Sequence, residues 1–288
     1  MKNNMPLIQK GWLRALVFLL VWILLQFGTS TLAYLLIKNI SPGNDQQQFS
    51  YLGLLIVAVV NILANLLIVW LFRTKIDRKS FISLGFRWKN AQVHAYSGFF
   101  VALFIMGLGS LVFVLMDNLR FIGIEFSPLP FVSYLLTMVL VAFGEELVVR
   151  GYILNNLMDS FPKWAALLIS AVLFALFHLF NPSITVLSTL GVFFGGILLG
   201  INYVYTRNLW FGIFLHFAWN FLQGPILGYP VSGIEVESLL VQSVNGAGWW
   251  TGGAFGFEGS LMCSVLACLV SVLLYIFYQK KNVLVIAS

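Results

Sequence analysis

The sequence predicts an all-α, polytopic transmembrane helical bundle of about eight transmembrane helices, with its chemistry placed inside the membrane. Three observations predict it. Sixty percent of the 288 residues are apolar and only 9% are charged, against about 25% charged residues in ordinary globular domains. Several apolar runs reach about 20 residues, enough to cross roughly 30 Å of hydrocarbon as helices. The ionisable residues inside those runs are concentrated in three of them. A transmembrane barrel would instead need short alternating strands, and the sequence shows none.

The runs fall at about Trp12–Ile37, Tyr51–Phe72, His94–Met116, Phe131–Leu157, Trp164–Phe180, Ile184–Tyr205, Leu209–Gly224 and Ser260–Tyr278. Each is mostly Leu, Ile, Val, Phe and Ala, bounded by charge or by Pro, Gly and Asn. The fifth and seventh are the shortest. Lys2 and Lys10 precede the first run, and Arg14 stands in its first turn. Arg73, Lys75, Arg78, Lys79, Arg87 and Lys89 fill the loop after the second. Lys163, Arg207, Lys280 and Lys281 fall in loops of the same parity. Only Lys38 and Arg120 fall opposite, so the positive-inside rule predicts a multi-pass cell-membrane protein with both termini cytoplasmic. Asp45, Asp117, Glu125, Glu235, Glu237 and Glu258 then face outward. The net charge of +6 is therefore a topology signal, and nucleic acid is not an expected partner. The lipid bilayer is, and the Arg73–Lys89 loop suits anionic headgroups.

The basic, apolar start imitates a signal peptide but is too long, and reads as an uncleaved first helix. Cys263 and Cys268 lie within the last run as small buried apolar residues, implying neither a disulfide nor a metal site. The Gly-rich segment from Pro225 to Gly259, with Trp249, Trp250, Phe255 and Phe257, is the longest outer loop. It either lies at the interface or dips back into the protein, and the two tryptophans could help to admit a substrate.

An acidic or basic residue at the centre of a membrane helix costs about 2.5–3.5 kcal/mol on insertion scales. The fourth run nevertheless holds Glu145, Glu146 and Arg150. The fifth holds His178, and the seventh holds His216 and Asn220. Residues four apart share a helix face, so Glu146 and Arg150 can pair within their own helix. Glu145 lies about 100° around that helix and has no such partner. It is the chemically free group of the three. A lone histidine, a Glu–Arg pair or an Asn could each be helix–helix glue. Two carboxylates, a guanidinium, two imidazoles and an amide on three nonadjacent runs point instead to a converging polar site.

A carboxylate beside a histidine can deprotonate water as a general base. A histidine and an amide can hold a developing oxyanion. That is the equipment for hydrolysing a peptide bond without a covalent intermediate. The same residues leave a zinc site open, because catalytic zinc takes three protein ligands and Glu145, His178 and His216 would supply three. No HExxH motif requires the metal, so a metal-free mechanism stays open beside it. No GxSxG motif stands near a histidine, which argues against a serine nucleophile.

At these residues the sequence resembles a known family. Glu145-Glu146-Leu147-Val148-Val149-Arg150 matches the EExxxR motif of the CPBP intramembrane proteases. These are also called the type II CAAX prenyl protease or Abi family, with Rce1-like enzymes as the eukaryotic branch. Gly151-Tyr152 follows the arginine, as is frequent there. Phe174 to His178 resembles the FxxxH motif, and His216 to Asn220 the HxxxN motif. The resemblance covers about residues 130–225, and it implies a peptidase acting within or next to the membrane. It implies that Glu145 activates water with His178, that His216 and Asn220 stabilise the oxyanion, and that Glu146 and Arg150 brace the site. The substrate would be a membrane-embedded or lipid-associated protein or peptide.

The expected organisation is helices 1–3 over residues 1–129, a catalytic core over 130–225, and the outer loop with the last helix over 226–288. Two other classes remain. A non-catalytic scaffold or bacteriocin-immunity-type protein could use the same fold, since fold does not fix function. A transporter or proton relay would also use intramembrane Glu and His, although no internal repeat of the kind many transporters show is present. In the sequence-based spans Glu145 falls near mid-membrane and His178 near the outer end of its helix, so closing the site requires the fifth helix to be tilted or to begin deeper.

Overall fold

The computed structural model describes residues 5–40 and 50–287, with side chains through Lys280. Lys2 and Asp45, and the side chain of Lys281, lie outside the described residues. Each of the apolar runs is helical. In chain order the helices are α1 (Gly11–Ile40), α2 (Tyr51–Leu71), α3 (Ala91–Leu115), α4 (Pro128–Glu146), α5 (Asn155–Leu157), α6 (Lys163–Phe177), α7 (Val186–Thr206), α8 (Trp210–Phe221), α9 (Gly248–Thr251) and α10 (Leu261–Ala287). Among the described residues six helices are long and apolar enough to cross a membrane: Gly11–Ile40, Tyr51–Ile76, Ala91–Leu115, Pro128–Leu157, Val186–Thr206 and Leu261–Lys280. The α6 and α8 helices, at 15 and 12 residues, are shorter.

Local chemistry sets the helix starts. Ser50 caps α2 by accepting from the Gly53 N–H. Thr185 and Ser188 form a reciprocal capping box at the head of α7, which satisfies orphan backbone donors. Pro128 opens α4, where its missing N–H costs nothing, and Pro162 precedes α6. The α4 helix does not stop at Glu146. It continues as a π-helical stretch, Leu147–Leu154, into α5. Such π-helical stretches are frequent at functional sites, and this one carries Arg150.

Contacts sort the helix ends into two groups. At one end Arg14, although within α1, is fully buried and reaches Asn156, Asp159 and Asp77. Asp77, 0% exposed, also receives Arg73, Tyr152 and Asn156. The Tyr203 hydroxyl donates to the Leu84 carbonyl, and Gln279 donates to Tyr205. This end gathers the starts of α1, α6 and α8 and the ends of α2, α5, α7 and α10. The sequence reading treated Arg14 and Arg73 as loop charges. They are instead the cationic half of a buried network, paired because an unpaired buried charge is so costly.

At the opposite end two strands depart from the expectation that none exist. β1 (Leu119–Ile124) pairs antiparallel with β2 (Leu240–Val244), Leu119 opposite Val244 and Ile124 opposite Leu240, with an irregularity between Phe121 and Gly123. Each strand is too short to show alternation, and the pairing is between segments far apart in the chain. The ribbon ties the long loop to the α3–α4 connection. The loop does both things left open by the sequence: Trp249 is 60% exposed, while Tyr229, Phe255 and Phe257 are buried in the core. Glu258, expected to face outward, is only partly exposed and is held inside the fold by Ser232 and Gln223. Cys263 is buried, Cys268 is exposed, and neither forms a disulfide.

The basic-end network makes a prediction. Asp77→Ala strands Arg14 and Arg73 beside a missing carboxylate, and breaking a buried pair this way costs about 3–5 kcal/mol. The variant is expected to melt well below wild type in detergent. An unchanged melting profile would contradict the role assigned to Asp77.

Candidate active site

The three polar helices meet around one cavity of about 390 Å³. Glu145, His178, His216 and Asn220 line it. Glu146 and Arg150 are buried beside it and are not part of its wall. Adjacent positions in the sequence thus supply one carboxylate to the cavity and one to the protein interior, as their separation around the helix requires.

Glu146 is the hub of the buried layer. Its Oε1 accepts from Arg150 Nη1 at 2.7 Å and from His216 Nδ1 at 3.1 Å. Arg150 also donates Nη2–H to the Gly196 carbonyl at 3.0 Å, and its guanidinium lies 4.3 Å from the Phe174 ring centroid. The Glu146–Arg150 pair follows from the four-residue spacing. The His216 contact does not, because it requires knowing how α8 crosses α4. Gly212 permits that crossing: a Cβ there would lie 2.7 Å from Glu146 Oε2 and 3.2 Å from the Leu199 carbonyl. No larger residue allows α8 to seat His216 on Glu146 without displacing the carboxylate.

These contacts fix the imidazoles. A carbonyl oxygen only accepts, so the 2.7 Å contact of His178 Nδ1 with the Phe174 carbonyl places a proton on that nitrogen. In the neutral ring Nε2 is then an acceptor. For His216, Nδ1–H points at Glu146, and Nε2 lies 3.9 Å from Glu145 Oε2. That separation exceeds a hydrogen bond. Among the described residues His216 is the histidine within 4 Å of Glu145, and His178 makes no such contact. Glu145 Oε2 has no hydrogen-bond partner among the described residues. Phe174 separates and orients the two rings, with centroids 4.6 Å from His178 and 6.0 Å from His216.

The depth problem in the sequence reading is resolved by helix length. The α6 helix ends at Phe177, with His178 as its cap and a turn through Asn181. Fifteen residues rise only roughly 22 Å, so α6 starts at the basic end and stops short of a full crossing. His178 therefore comes to the cavity rather than to the outer surface. Pro182 follows immediately and prevents continuation of the helix.

Residues 127–222 match the family of Rce1-like type II CAAX prenyl endopeptidases. No curated protein matches the chain. The Rce1-like match runs from the start of α4 to just past α8 and contains all six residues singled out by the sequence. Its family is one of proteases, which agrees with an apolar multi-helix chain holding an internal polar site.

The cavity also has walls outside the Rce1-like match, and the sequence reading missed them. Trp22 and Gln26 of α1, Asn61 and Asn65 of α2, and Ser232 and Glu258 of the outer loop all line it. The Trp22 indole and the Gln26 amide both donate to Asn65 Oδ1. The four-residue spacing of Asn61 and Asn65 was a usable signal, being the only amide pair on one face of the second run. Trp249 and Trp250 do not line the cavity. Trp250 instead donates its indole N–H to Asn118, so the expectation that these tryptophans admit a substrate is not supported by their placement.

The zinc ligand set fits poorly. No three His, Cys, Asp or Glu residues among those described come together in a group that could hold one metal ion.

Proposed function

We propose that this protein is an intramembrane endopeptidase that hydrolyses a peptide bond of a membrane-embedded or lipid-associated substrate with water activated by Glu145. The observation that supports the reading is the division of the two carboxylates: Glu146 is held at hydrogen-bond distance by Arg150 and His216, while Glu145 faces the cavity with no hydrogen-bonded partner on Oε2 and with His216 Nε2 no nearer than 3.9 Å. A carboxylate in that setting is a proton acceptor.

The steps follow from the donors available. Glu145 takes a proton from a water molecule, and the resulting hydroxide adds to the scissile carbonyl carbon. The carbonyl oxygen becomes an oxyanion. In this reading Asn220 Nδ2–H and His216 Nε2–H, one helical turn apart on one face of α8, hold it. To donate from both nitrogens His216 must be an imidazolium, and Glu146 is its counter-ion. The tetrahedral species collapses with cleavage of the C–N bond, and the proton held by Glu145 passes to the departing nitrogen. His178 Nε2, an acceptor, orients the water. No step runs through a metal, in keeping with the separated donor set. The scaffold reading gains nothing from the structure, because a passive fold does not require a carboxylate turned into a cavity without a hydrogen-bond partner.

We place the basic end of the bundle, and with it both termini, in the cytoplasm, because most of the described Lys and Arg residues gather there, Lys38 and Arg120 lying opposite. Labelling of an exposed Lys89→Cys by a membrane-impermeant maleimide should succeed in inverted vesicles and fail in right-side-out cells; the reverse would overturn the orientation.

For the activity itself, Glu145→Gln keeps size and removes the base. Loss of an essential general base lowers the rate by about 10²–10⁴-fold. Purified Glu145→Gln is expected to cleave a fluorogenic membrane-peptide library at a rate reduced by at least that factor, with an unchanged melting point and with no effect of a chelator on wild type. Cleavage by the variant at the wild-type rate would refute the role of Glu145. Loss of wild-type activity on chelation would replace the metal-free mechanism.

A further inference from the structure

The cavity contains a second carboxylate that the proposed reaction does not use. Glu258 stands on the outer loop, outside the Rce1-like match, and lines the same cavity as Glu145. Its position is built. Oε1 accepts from the Ser232 N–H at 2.6 Å, the Ser232 hydroxyl at 2.8 Å and Gln223 Nε2 at 3.3 Å. Gln223 also donates to the Pro230 carbonyl at 2.7 Å, which fixes it between the two segments. Gly256, two residues earlier, has φ +102°, and a Cβ there would lie 1.8 Å from the Pro230 carbonyl oxygen. Gly191 of α7 packs directly on the Glu258 carbonyl.

All three donors to this carboxylate are neutral, and all three go to one oxygen. No Lys or Arg among the described residues forms an ion pair with Glu258. The cavity wall contains two carboxylates, Glu145 and Glu258, and no guanidinium or ammonium group. Three polar atoms in that wall, Asn61 Oδ1, Thr137 Oγ1 and Glu145 Oε2, are buried without a partner, so the cavity is shaped for a polar occupant. Buried polar groups are normally hydrogen-bonded. A rigidly held carboxylate with no counter-ion in a low-dielectric cavity attracts a cation and repels an anion.

We propose that Glu258 is a specificity residue that reads a cationic group, an ammonium or guanidinium, on the peptide substrate. This rests on the cavity being the peptide-binding site described above. It has a corollary for the comparison with the family that residues 127–222 match. A substrate whose free C-terminal carboxylate must enter the cavity meets two carboxylates and no Lys or Arg, the His216 imidazole being already engaged by Glu146, so this chain favours substrates that continue past the cleaved bond or carry a positive charge near it.

The test uses short fluorescent Leu/Ala-rich peptides, acetylated at the N-terminus, that differ at one central position: Lys, norleucine or Glu. A fourth peptide carries norleucine and a free N-terminal amine, and each is made with a C-terminal carboxylate or carboxamide. Binding is measured on full-length Glu145→Gln and on Glu145→Gln/Glu258→Gln in detergent. Glutamine retains an oxygen for the Ser232 and Gln223 donors and removes only the charge, so a purely structural Glu258 predicts no change. The expected result is binding of the Lys peptide about tenfold tighter than norleucine, with Glu weakest, and collapse of that order in the double variant. Preference for the free-amine peptide over its acetylated norleucine partner would assign the cation to the substrate N-terminus, again only if it is lost with Glu258→Gln. Equal binding of Lys and norleucine peptides by Glu145→Gln, or a Lys preference that survives Glu258→Gln, would overturn the proposal. Cleavage of the same peptides by wild type and Glu258→Gln is run in parallel. Failure of wild type to cleave any of them would count against the peptidase reading, while the binding comparison still decides the role of Glu258.

Discussion

The site depends on how one carboxylate is neutralised at the depth of the bilayer. Glu146 is completely buried, and an ion of that size cannot be left unpaired in such a place. Its charge is balanced from two directions, by Arg150 from its own helix and by His216 from α8. Each partner is then held elsewhere: Arg150 by the Gly196 carbonyl of α7 and the Phe174 ring of α6, His216 by the approach of α8 that Gly212 allows. Four helices are therefore registered against one another by one carboxylate. That registration turns Glu145, the next residue along, toward the cavity.

How much of this was legible in the sequence depends on the range of the interaction. The helices could be read because apolar runs of membrane length leave few alternatives. The Glu146–Arg150 pair could be read because four-residue spacing places both on one face whatever else surrounds them. The Glu146–His216 bond could not, since it joins residues 70 positions apart through a crossing set by a glycine with no chemical signature. The same holds for Asp77, whose partners Arg14, Arg73 and Tyr152 come from three segments, and for the β1–β2 ribbon. The length of α6 was misread because hydropathy continues through Leu179 and Phe180, whereas the helix stops where the His178 side chain caps the Phe174 carbonyl.

The division between the Rce1-like segment and the rest of the chain has a physical meaning. Residues 127–222 supply the groups proposed for the chemistry. The elements before and after it, α1, α2 and the outer loop, supply amides, an indole and a carboxylate to the other walls of the same cavity. A peptide lying in it would meet reactive groups on one side and recognition groups on the other. The glycines of the outer loop serve this arrangement, because a loop must fold back tightly over the bundle to bring Glu258 into the wall.

The central claim is that the cavity binds a scissile peptide with its carbonyl between Glu145 and the α8 donors. The most direct measurement is a structure of the protein with a membrane peptide whose scissile amide is replaced by a tetrahedral phosphinate. The account predicts one phosphinate oxygen about 2.7–3.1 Å from His216 Nε2 and Asn220 Nδ2, and the other against Glu145. A phosphinate seated outside this cavity, or inside it with Glu145 turned away from the phosphinate, would contradict the account.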